Sequence, residues 1–177
     1  SRTAFDYGRR TATKGGRTMT SSNESPRVVV GVDGSESSIN ALRWAARLAS
    51  GLGAGIDAVT AWELPNTYGF VAYPEDYRPD VDAASVLDTA LTDAFGENRP
   101  PGLRERVAKG NPAQVLTEAS HDATMVVVGS RGHGGFAGLL LGSVSSYVAE
   151  HAACPVLVIR RGARGLGEPV DPATADR

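Results

Sequence analysis

Residues 125–143 read MVVVGSRGHGGFAGLLLGS, and this stretch is the most informative part of the chain. Its apolar, largely β-branched start predicts a buried strand, a glycine-rich turn follows, and helical spacing begins at Ser143. Glycine permits sharp turns and lets a ligand approach the main chain closely. The first N–H groups of a helix lack internal acceptors, and the helix dipole favours negative charge there. The stretch therefore predicts either a phosphate-type anion site or an ordinary surface turn with a helix cap.

The rest of the chain repeats this order of strand, turn and helix. Residues 27–33 form a short apolar run, Ser35 or Ser37 can cap the helix that follows, and Gly51 and Gly53 end that helix. Residues 63–78 are irregular and predict a long loop, a frequent location of function. The predicted strands are 27–33, 55–62, 103–109, 125–128 and 155–159, and the predicted helices are 37–50, 81–95, 112–120 and one that starts at 143.

The predicted strands are apolar enough to be covered on both faces. This pattern predicts an α/β fold, an open parallel sheet of five strands with helices on both sides and right-handed connections. Ligands of such sheets bind at the carboxyl ends of the strands, where the winding reverses. If the fourth strand lies beside the first, Asp33 and Gly129 meet at that crevice. The positions of the first helix that the spacing places inward are Ile39, Leu42, Ala46 and Ala49.

Length and composition favour one globular domain. The chain has 177 residues, of which 41% are hydrophobic and 21% charged. We expect the domain at 27–161, between a disordered extension or cloning remnant at 1–26 and a disordered tail at 162–177. No apolar run approaches the ~18 residues that span a bilayer, so no membrane association is expected. The single cysteine, Cys154, fits a reducing compartment and predicts a cytoplasmic protein with a structural thiol.

Charge is distributed unevenly along the chain. Residues 1–18 hold five cations and one anion, which leaves thirteen cations and nineteen anions for the remainder. An acidic body argues against a nucleic-acid-binding domain, and we expect no nucleic-acid partner.

The glycine-rich turn does not match two familiar nucleotide motifs. A Walker A loop needs a Gly-Lys-Ser/Thr end, and none is present. A dinucleotide fingerprint can be aligned to Gly132, Gly134 and Ala137, but that fingerprint belongs in the first βα unit and precedes an acidic residue about 20 positions on. Here the following strand ends in Arg160 and Arg161, so dinucleotide binding is disfavoured.

The spacing of Gly129, Gly132, Gly142 and Ser143 resembles the ATP-binding signature of the universal stress protein family, G-x2-G-x9-G-(S/T). The resemblance covers about 27–160 and appears in five segments in the same order. Those segments are Val30-Gly-Val-Asp33-Gly-Ser35, Thr60-Ala61-Trp62, Gly110-Asn-Pro112, the glycine signature, and His151-x2-Cys-Pro155-Val-Leu-Val-Ile-Arg160. It implies a Rossmann-like fold of the adenine-nucleotide α-hydrolase type, with strand order 3-2-1-4-5.

The resemblance also implies a nucleotide site built from four parts of the chain. The end of the first strand lies beside the nucleotide, the backbone of Ala61 meets the adenine edge, and the glycine turn covers ribose and phosphates. The start of the fourth helix binds phosphates through N–H and hydroxyl groups. The implied cofactor-binding residues are Gly31, Val32, Asp33, Ala61, Gly129, Ser130, Arg131, Gly132, Gly142, Ser143, Val144 and Ser145.

Asp33 is the unusual member because a carboxylate repels phosphate. An Mg²⁺ ion between them would remove the conflict, or Asp33 accepts a hydrogen bond from a ribose hydroxyl. Its structural alternative is an Asx-turn or a helix cap. The sequence leaves these roles open.

Three functions follow from this interpretation. The first is an ATP-binding stress or signalling protein that responds to an unknown regulatory partner and is at most a weak ATPase or an autophosphorylating protein, since no catalytic base is evident. The second is an interaction module with a vestigial site. The third is an adenine-nucleotide α-hydrolase, whose phosphate loop would be the segment 33–38. Members of the family dimerise through the last strand, so a homodimer through 156–160 is expected.

Overall fold

Five short strands and four helices alternate along the described part of the chain in this computed structural model. The structure describes residues 25–64, 77–132 and 140–163. The strands are β1 Arg27–Gly31, β2 Gly55–Trp62, β3 Leu103–Lys109, β4 Met125–Gly129 and β5 Val156–Ile159. The helices are α1 Glu36–Leu52, α2 Pro79–Phe95, α3 Pro112–Ala119 and α4 Ser143–His151, with a 3-10 turn at Ser120–Asp122. The predicted tails, most of the predicted long loop and residues 133–139 lie outside the described residues.

The strands form one parallel sheet in the order β3-β2-β1-β4-β5. The fold predicted from the sequence is therefore confirmed, including the pairing of β1 with β4. Val28 and Val30 of β1 belong to the core on the α1 and α2 side, whereas Val29 belongs to the core on the α3 and α4 side. Successive strand residues point to opposite faces, so a run of valines serves both layers.

The inward face of α1 differs from the predicted one. Leu42 and Ala49 are buried as expected, but Ala41 and Ala45 replace Ile39 and Ala46, which are only partly buried. The helix has apolar residues over much of its circumference, so its periodicity admits more than one rotation. Packing against both the sheet and α2 selects the rotation that presents small alanines to its neighbours.

Local signals account for the helix ends. Ser35 is the N-cap of α1 and accepts a hydrogen bond from the Ser38 N–H, and Gly53 ends the helix in the left-handed region at φ 61°. Asn111 caps α3 in the same way, and its side chain accepts from the Ala113 N–H with Pro112 at the first helical position. None of the helices in the described part of the chain is both long and apolar enough to cross a bilayer.

Candidate functional site

A cleft of about 630 Å³ opens at the carboxyl ends of β1, β2 and β4. The winding of the sheet reverses between β1 and β4, because β2 and β3 lie to one side of β1 and β4 and β5 to the other. Eleven of the twelve residues predicted for the site line this cleft. They are Gly31, Val32, Asp33, Ala61, Gly129, Arg131, Gly132, Gly142, Ser143, Val144 and Ser145.

The structure does not bring Ser130, the twelfth residue, to the cleft. Ser130 is buried, its N–H donates to the Ile159 carbonyl at 2.7 Å, and its own carbonyl accepts from the Gly142 N–H at 2.7 Å. Ser130 therefore ties the end of β4 to β5 and to the start of α4. Ser130 thus holds the residues that line the cleft in place without lining it itself.

The start of α4 supplies N–H groups to one end of the cleft. Gly142 is the N-cap, with φ −73° and ψ 164° and no side chain to cap the helix. The N–H groups of Ser143, Val144 and Ser145 occupy the first helical positions, where no acceptor exists within the helix. All three residues line the cleft. With the dipole of α4 they make this end attractive to an anion.

Two groups that the sequence assigned to phosphate are used within the protein. The Gly142 N–H donates to Ser130, and the Ser145 hydroxyl donates to the Gly129 carbonyl at 2.7 Å. Main-chain donors from residues 143–145 are thus left for a ligand, with the exposed hydroxyl of Ser143. Neither hydrogen bond can be predicted from the sequence, because each depends on how the start of α4 packs against the end of β4.

Gly129 and Gly132 are required by close contacts between the two loops at the crevice. A Cβ on Gly129 would lie 2.5 Å from the Ser37 hydroxyl oxygen and 2.8 Å from the Ser37 backbone carbonyl carbon. A Cβ on Gly132 would collide with a carboxylate oxygen of Asp33. A Cβ on Gly142, by contrast, would have Arg131 Cα at 3.5 Å as its nearest neighbour among the described residues. At Gly129 and Gly132 of the signature, glycine is therefore required by packing within the protein.

At the opposite end of the cleft, no strand among the described residues pairs with the β1-facing side of Ala61. The Val59 carbonyl accepts from the Val32 N–H at 2.9 Å, and the Trp62 carbonyl accepts from the Gly110 N–H at 2.8 Å. Backbone groups alternate sides along a strand, so Val59 and Ala61 face β1 whereas Trp62 faces β3. Because β1 ends at Gly31, opposite Val59, it does not reach Ala61. The N–H and C=O of Ala61 are therefore turned into the cleft.

Apolar side chains from the helices line the end of the cleft near Ala61. Val86 of α2 and Pro112 and Leu116 of α3 line it, along with Trp62. The Lys109 ammonium lies 5.6 Å from the Trp62 ring, so the ring is already in contact with a cation. Sequence reasoning missed the helix residues because their inclusion depends on how α2 and α3 dock on the sheet. A strand-edge donor and acceptor beside apolar walls suits a flat heterocycle.

The loop after β1 is held by a network of hydroxyl groups. The Asp33 carboxylate oxygen Oδ1 accepts from the Ser35 N–H at 3.0 Å and from the Ser35 hydroxyl at 2.6 Å. The first bond is the Asx-turn considered from sequence, whereas the cap of α1 is Ser35 and not Asp33. The Ser37 hydroxyl donates to the Arg131 carbonyl, which joins α1 to the glycine turn. Asp33 also lines the cleft.

Charges around the cleft are few. Among the described lining residues, Arg131 is the cation and Asp33 and Asp82 are the anions. No group of three or more His, Cys, Asp and Glu side chains in the described residues could hold a metal ion. Cys154 is remote from the cleft, and burial raises the pKa of its thiol, which agrees with a structural role.

The universal stress protein family model matches residues 25–160, which include every lining residue of the cleft. The chain belongs to the universal stress protein family. A universal stress protein of Mycobacterium tuberculosis strain H37Rv is 34% identical over 151 residues, which cover 80% of this chain and 50% of that relative. One of Mycolicibacterium smegmatis is 36% identical over 135 residues, 75% of this chain and 45% of the relative. The chain spans about half the length of these curated relatives.

Solved structures of universal stress proteins share the fold. A universal stress protein crystallised in complex with cAMP has a TM-score of 0.58 and 29% identity, and the match covers 77% of this chain and 98% of that one. A universal stress protein of Archaeoglobus fulgidus in complex with dAMP has a TM-score of 0.54 and 23% identity over the same shares. The second likeness concerns the fold alone.

Proposed function

We propose that this chain binds an adenine nucleotide, ATP with Mg²⁺, in the cleft between β1, β2 and β4, and acts in the cytoplasm as a nucleotide-dependent stress or signalling module. The observation that carries the proposal is the presence of two sets of backbone hydrogen-bonding groups in one cleft. The N–H groups of residues 143–145 lie at one end, and the N–H and C=O of Ala61 lie at the other. The 29% identical relative in complex with cAMP supports the same ligand class.

The two ends suit different parts of a nucleotide. An unpaired strand N–H and C=O complement the amino group and ring nitrogen along one edge of adenine, whereas the oxo group of guanine presents the opposite pattern. The free helix amides and Arg131 complement phosphate. The residues proposed to bind nucleotide are Gly31, Val32, Asp33, Ala61, Gly129, Arg131, Gly132, Gly142, Ser143, Val144 and Ser145, with Ser130 as their support.

Mg²⁺ belongs to the proposal because of Asp33. One carboxylate is too few ligands for a divalent cation, but phosphate oxygens and waters would complete the set. When bound, the ion would neutralise part of the polyphosphate charge in a cleft that has Arg131 as its lining cation. A slow hydrolysis or self-phosphorylation is then chemically reasonable, since phosphoryl transfer depends mostly on positioning and charge stabilisation.

The decisive measurement is isothermal titration of the purified protein with ATP, AMP, cAMP and GTP, with and without Mg²⁺. We expect saturable binding of the adenine nucleotides and at least about tenfold weaker binding of GTP. Lack of uptake of every adenine nucleotide at millimolar concentration would leave an interaction module with a vestigial site as the better interpretation.

A charge placed at the phosphate end tests the location of the site. We expect Gly142→Glu to abolish ATP binding while the circular dichroism spectrum stays native, because a carboxylate at the N-cap of α4 would occupy and repel the phosphate position. Gly142→Gln has the same size without the charge, so it separates repulsion from bulk and should lose less affinity. Unchanged ATP affinity in Gly142→Glu would place the phosphates elsewhere.

A further inference from the structure

We infer that Ser35 is the hydroxyl that receives phosphate when this protein phosphorylates itself, and that Asp33 accepts the proton from it. This inference rests on the proposed function, since the phosphoryl donor is the nucleoside triphosphate bound in the cleft. The observation behind it is a hydrogen bond of 2.6 Å from the Ser35 hydroxyl to the Asp33 carboxylate, with both residues lining that cleft. The distance lies within the range of a nucleophile and its general base.

The hydroxyl groups of the cleft differ in what they donate to. The hydroxyls of Ser38, Thr60 and Ser145 donate to the carbonyls of Ser35, Val32 and Gly129, at 2.9, 3.0 and 2.7 Å. A carbonyl orients a hydroxyl but cannot take its proton. Ser35 is the hydroxyl in the described lining of the cleft that donates to a carboxylate. Ser35 therefore combines a place in the lining of the cleft with a carboxylate that can accept its proton.

The same hydroxyl groups also differ in their exposure to solvent. Ser38, Thr60 and Ser145 are each less than 5% exposed, whereas Ser35 is partly exposed and Asp33 is exposed. A phosphoserine at a buried position would have to desolvate two negative charges. At Ser35 the product would sit at the N-terminus of the 17-residue helix α1, where N–H groups and the helix dipole favour an anion. The product would also lie beside the Asp33 carboxylate, and the N–H groups and dipole of α1 would oppose the repulsion between the two anions.

The step balances with ATP as the only other reactant. The Ser35 oxygen attacks the γ-phosphorus, the bond between that phosphorus and the β,γ-bridging oxygen breaks, and ADP leaves. The hydroxyl proton passes to Oδ1 of Asp33. An aspartate carboxylate can take this role, because in protein kinases an aspartate accepts the proton of the substrate hydroxyl in the same way.

The position of Ser35 relative to the phosphate end is held by the glycine turn. Gly132 lies against the Asp33 carboxylate so closely that a Cβ would not fit, and the Ser37 hydroxyl donates to the Arg131 carbonyl. The Ser35 hydroxyl itself lies 3.4 Å from that carbonyl. These contacts place the acceptor beside the turn that leads to α4, and Ser35 lines the same cleft as the α4 amides proposed to hold the triphosphate.

The test incubates the full chain with Mg²⁺ and ATP labelled with ³²P at the γ-phosphate, at nucleotide concentrations that saturate each variant. Ser35→Asn retains a helix-capping side chain but lacks a hydroxyl, and Ser35→Thr retains both. We expect label on wild type and Ser35→Thr and at least a tenfold loss in Ser35→Asn. Asp33→Asn keeps an acceptor for the Ser35 N–H and should slow labelling about 100-fold. Ser50→Ala, exposed at the far end of α1, is the matched control and should label normally.

Mass spectrometry identifies the labelled residue independently of rate. Trypsin releases residues 28–43 as one peptide that contains Ser35, Ser37 and Ser38, and fragmentation distinguishes them. Phosphate on Ser143, Ser37 or Ser38 would overturn the assignment, as would equal labelling of Ser35→Asn and wild type. A wild-type protein that binds ATP but never takes label would refute the inference and leave the proposed function standing. A protein that binds no adenine nucleotide would refute both.

Discussion

At the scale of single residues, the glycines of the signature serve two purposes. Gly129 and Gly132 allow the turn after β4 to press against Ser37 and Asp33, and their Cβ positions are already occupied. Among the described residues, a Cβ on Gly142 would meet no such close contact, and a phosphate at this helix start is the proposed reason for glycine there. The same sequence motif thus combines internal packing with the proposed recognition of phosphate.

Gly129→Ala tests the packing role. We expect it to lower the free energy of unfolding by about 1–3 kcal/mol, because the new methyl would overlap both the hydroxyl oxygen and the backbone of Ser37. Urea titration followed by circular dichroism measures the change. Gly51→Ala is the matched control, since nothing lies within 4 Å of a Cβ at this position of α1, and it should stabilise the protein by up to about 1 kcal/mol. Equal stability of the two variants would contradict the close contact at β4.

At the scale of elements, the helix starts differ in how their N–H groups are satisfied, and the start of α2 at Arg78 has no side-chain cap but carries Pro79. The starts of α1 and α3 are satisfied by the side chains of Ser35 and Asn111, whereas the start of α4 has no capping side chain and faces the cleft. At α4 an uncapped helix start directly beside the end of a strand lines the candidate site, an arrangement that suits an anion. Its position follows from β4 lying next to β1, which brings the start of α4 opposite Asp33.

Asn111→Ala tests the assignment of a purely structural cap. The Asn111 side chain accepts from the Ala113 N–H at 3.0 Å, and its loss should cost about 1 kcal/mol of stability. Thermal and urea unfolding measure this loss. Asn111→Asp keeps the acceptor, so its stability should stay within about 0.5 kcal/mol of wild type. A stable Asn111→Ala protein would mean that the start of α3 is satisfied by solvent.

At the scale of the whole molecule, β5 is an edge strand of four apolar residues, Val156–Ile159. It pairs with β4 on one side, and no described strand lies on the other. Long apolar edges are usually covered in proteins. We therefore keep a homodimer through 156–160 as a proposal, formed by pairing of β5 with its copy around a two-fold axis.

Val158→Pro tests the dimer without disturbing the sheet. The Pro155 and Ile159 carbonyls accept from Val126 and Ser130 of the β4 segment, so the alternation of a strand turns the Val158 N–H to the outer edge. Removing that N–H should halve the mass measured by light scattering at micromolar concentration and leave the fold intact. A wild-type monomer, or a dimer that survives this change, would exclude pairing through the outer edge of β5.

The sequence predicts elements well wherever the signal is local. The bounds of β2 and β3 and the start of α4 at Ser143 agree with the structure, and Ser35 is one of the two predicted caps. The resemblance to the family, carried by five segments of sequence, also implied eleven of the residues that line the cleft. These features depend on β-branched runs, caps and glycine turns, which are properties of a few adjacent residues.

The sequence by itself determined the order of strands and helices along the chain, the glycine turn and the family. Each of these depends on short motifs of adjacent residues. Only the tertiary structure decided the rotation of α1, the use of the Gly142 N–H by Ser130, and the arrival of Val86, Pro112 and Leu116 at the cleft. It also decided that β1 stops short of Ala61 and leaves that backbone turned inward. These outcomes join residues far apart in the chain, and they depend on register and on helix docking, which periodicity alone does not specify.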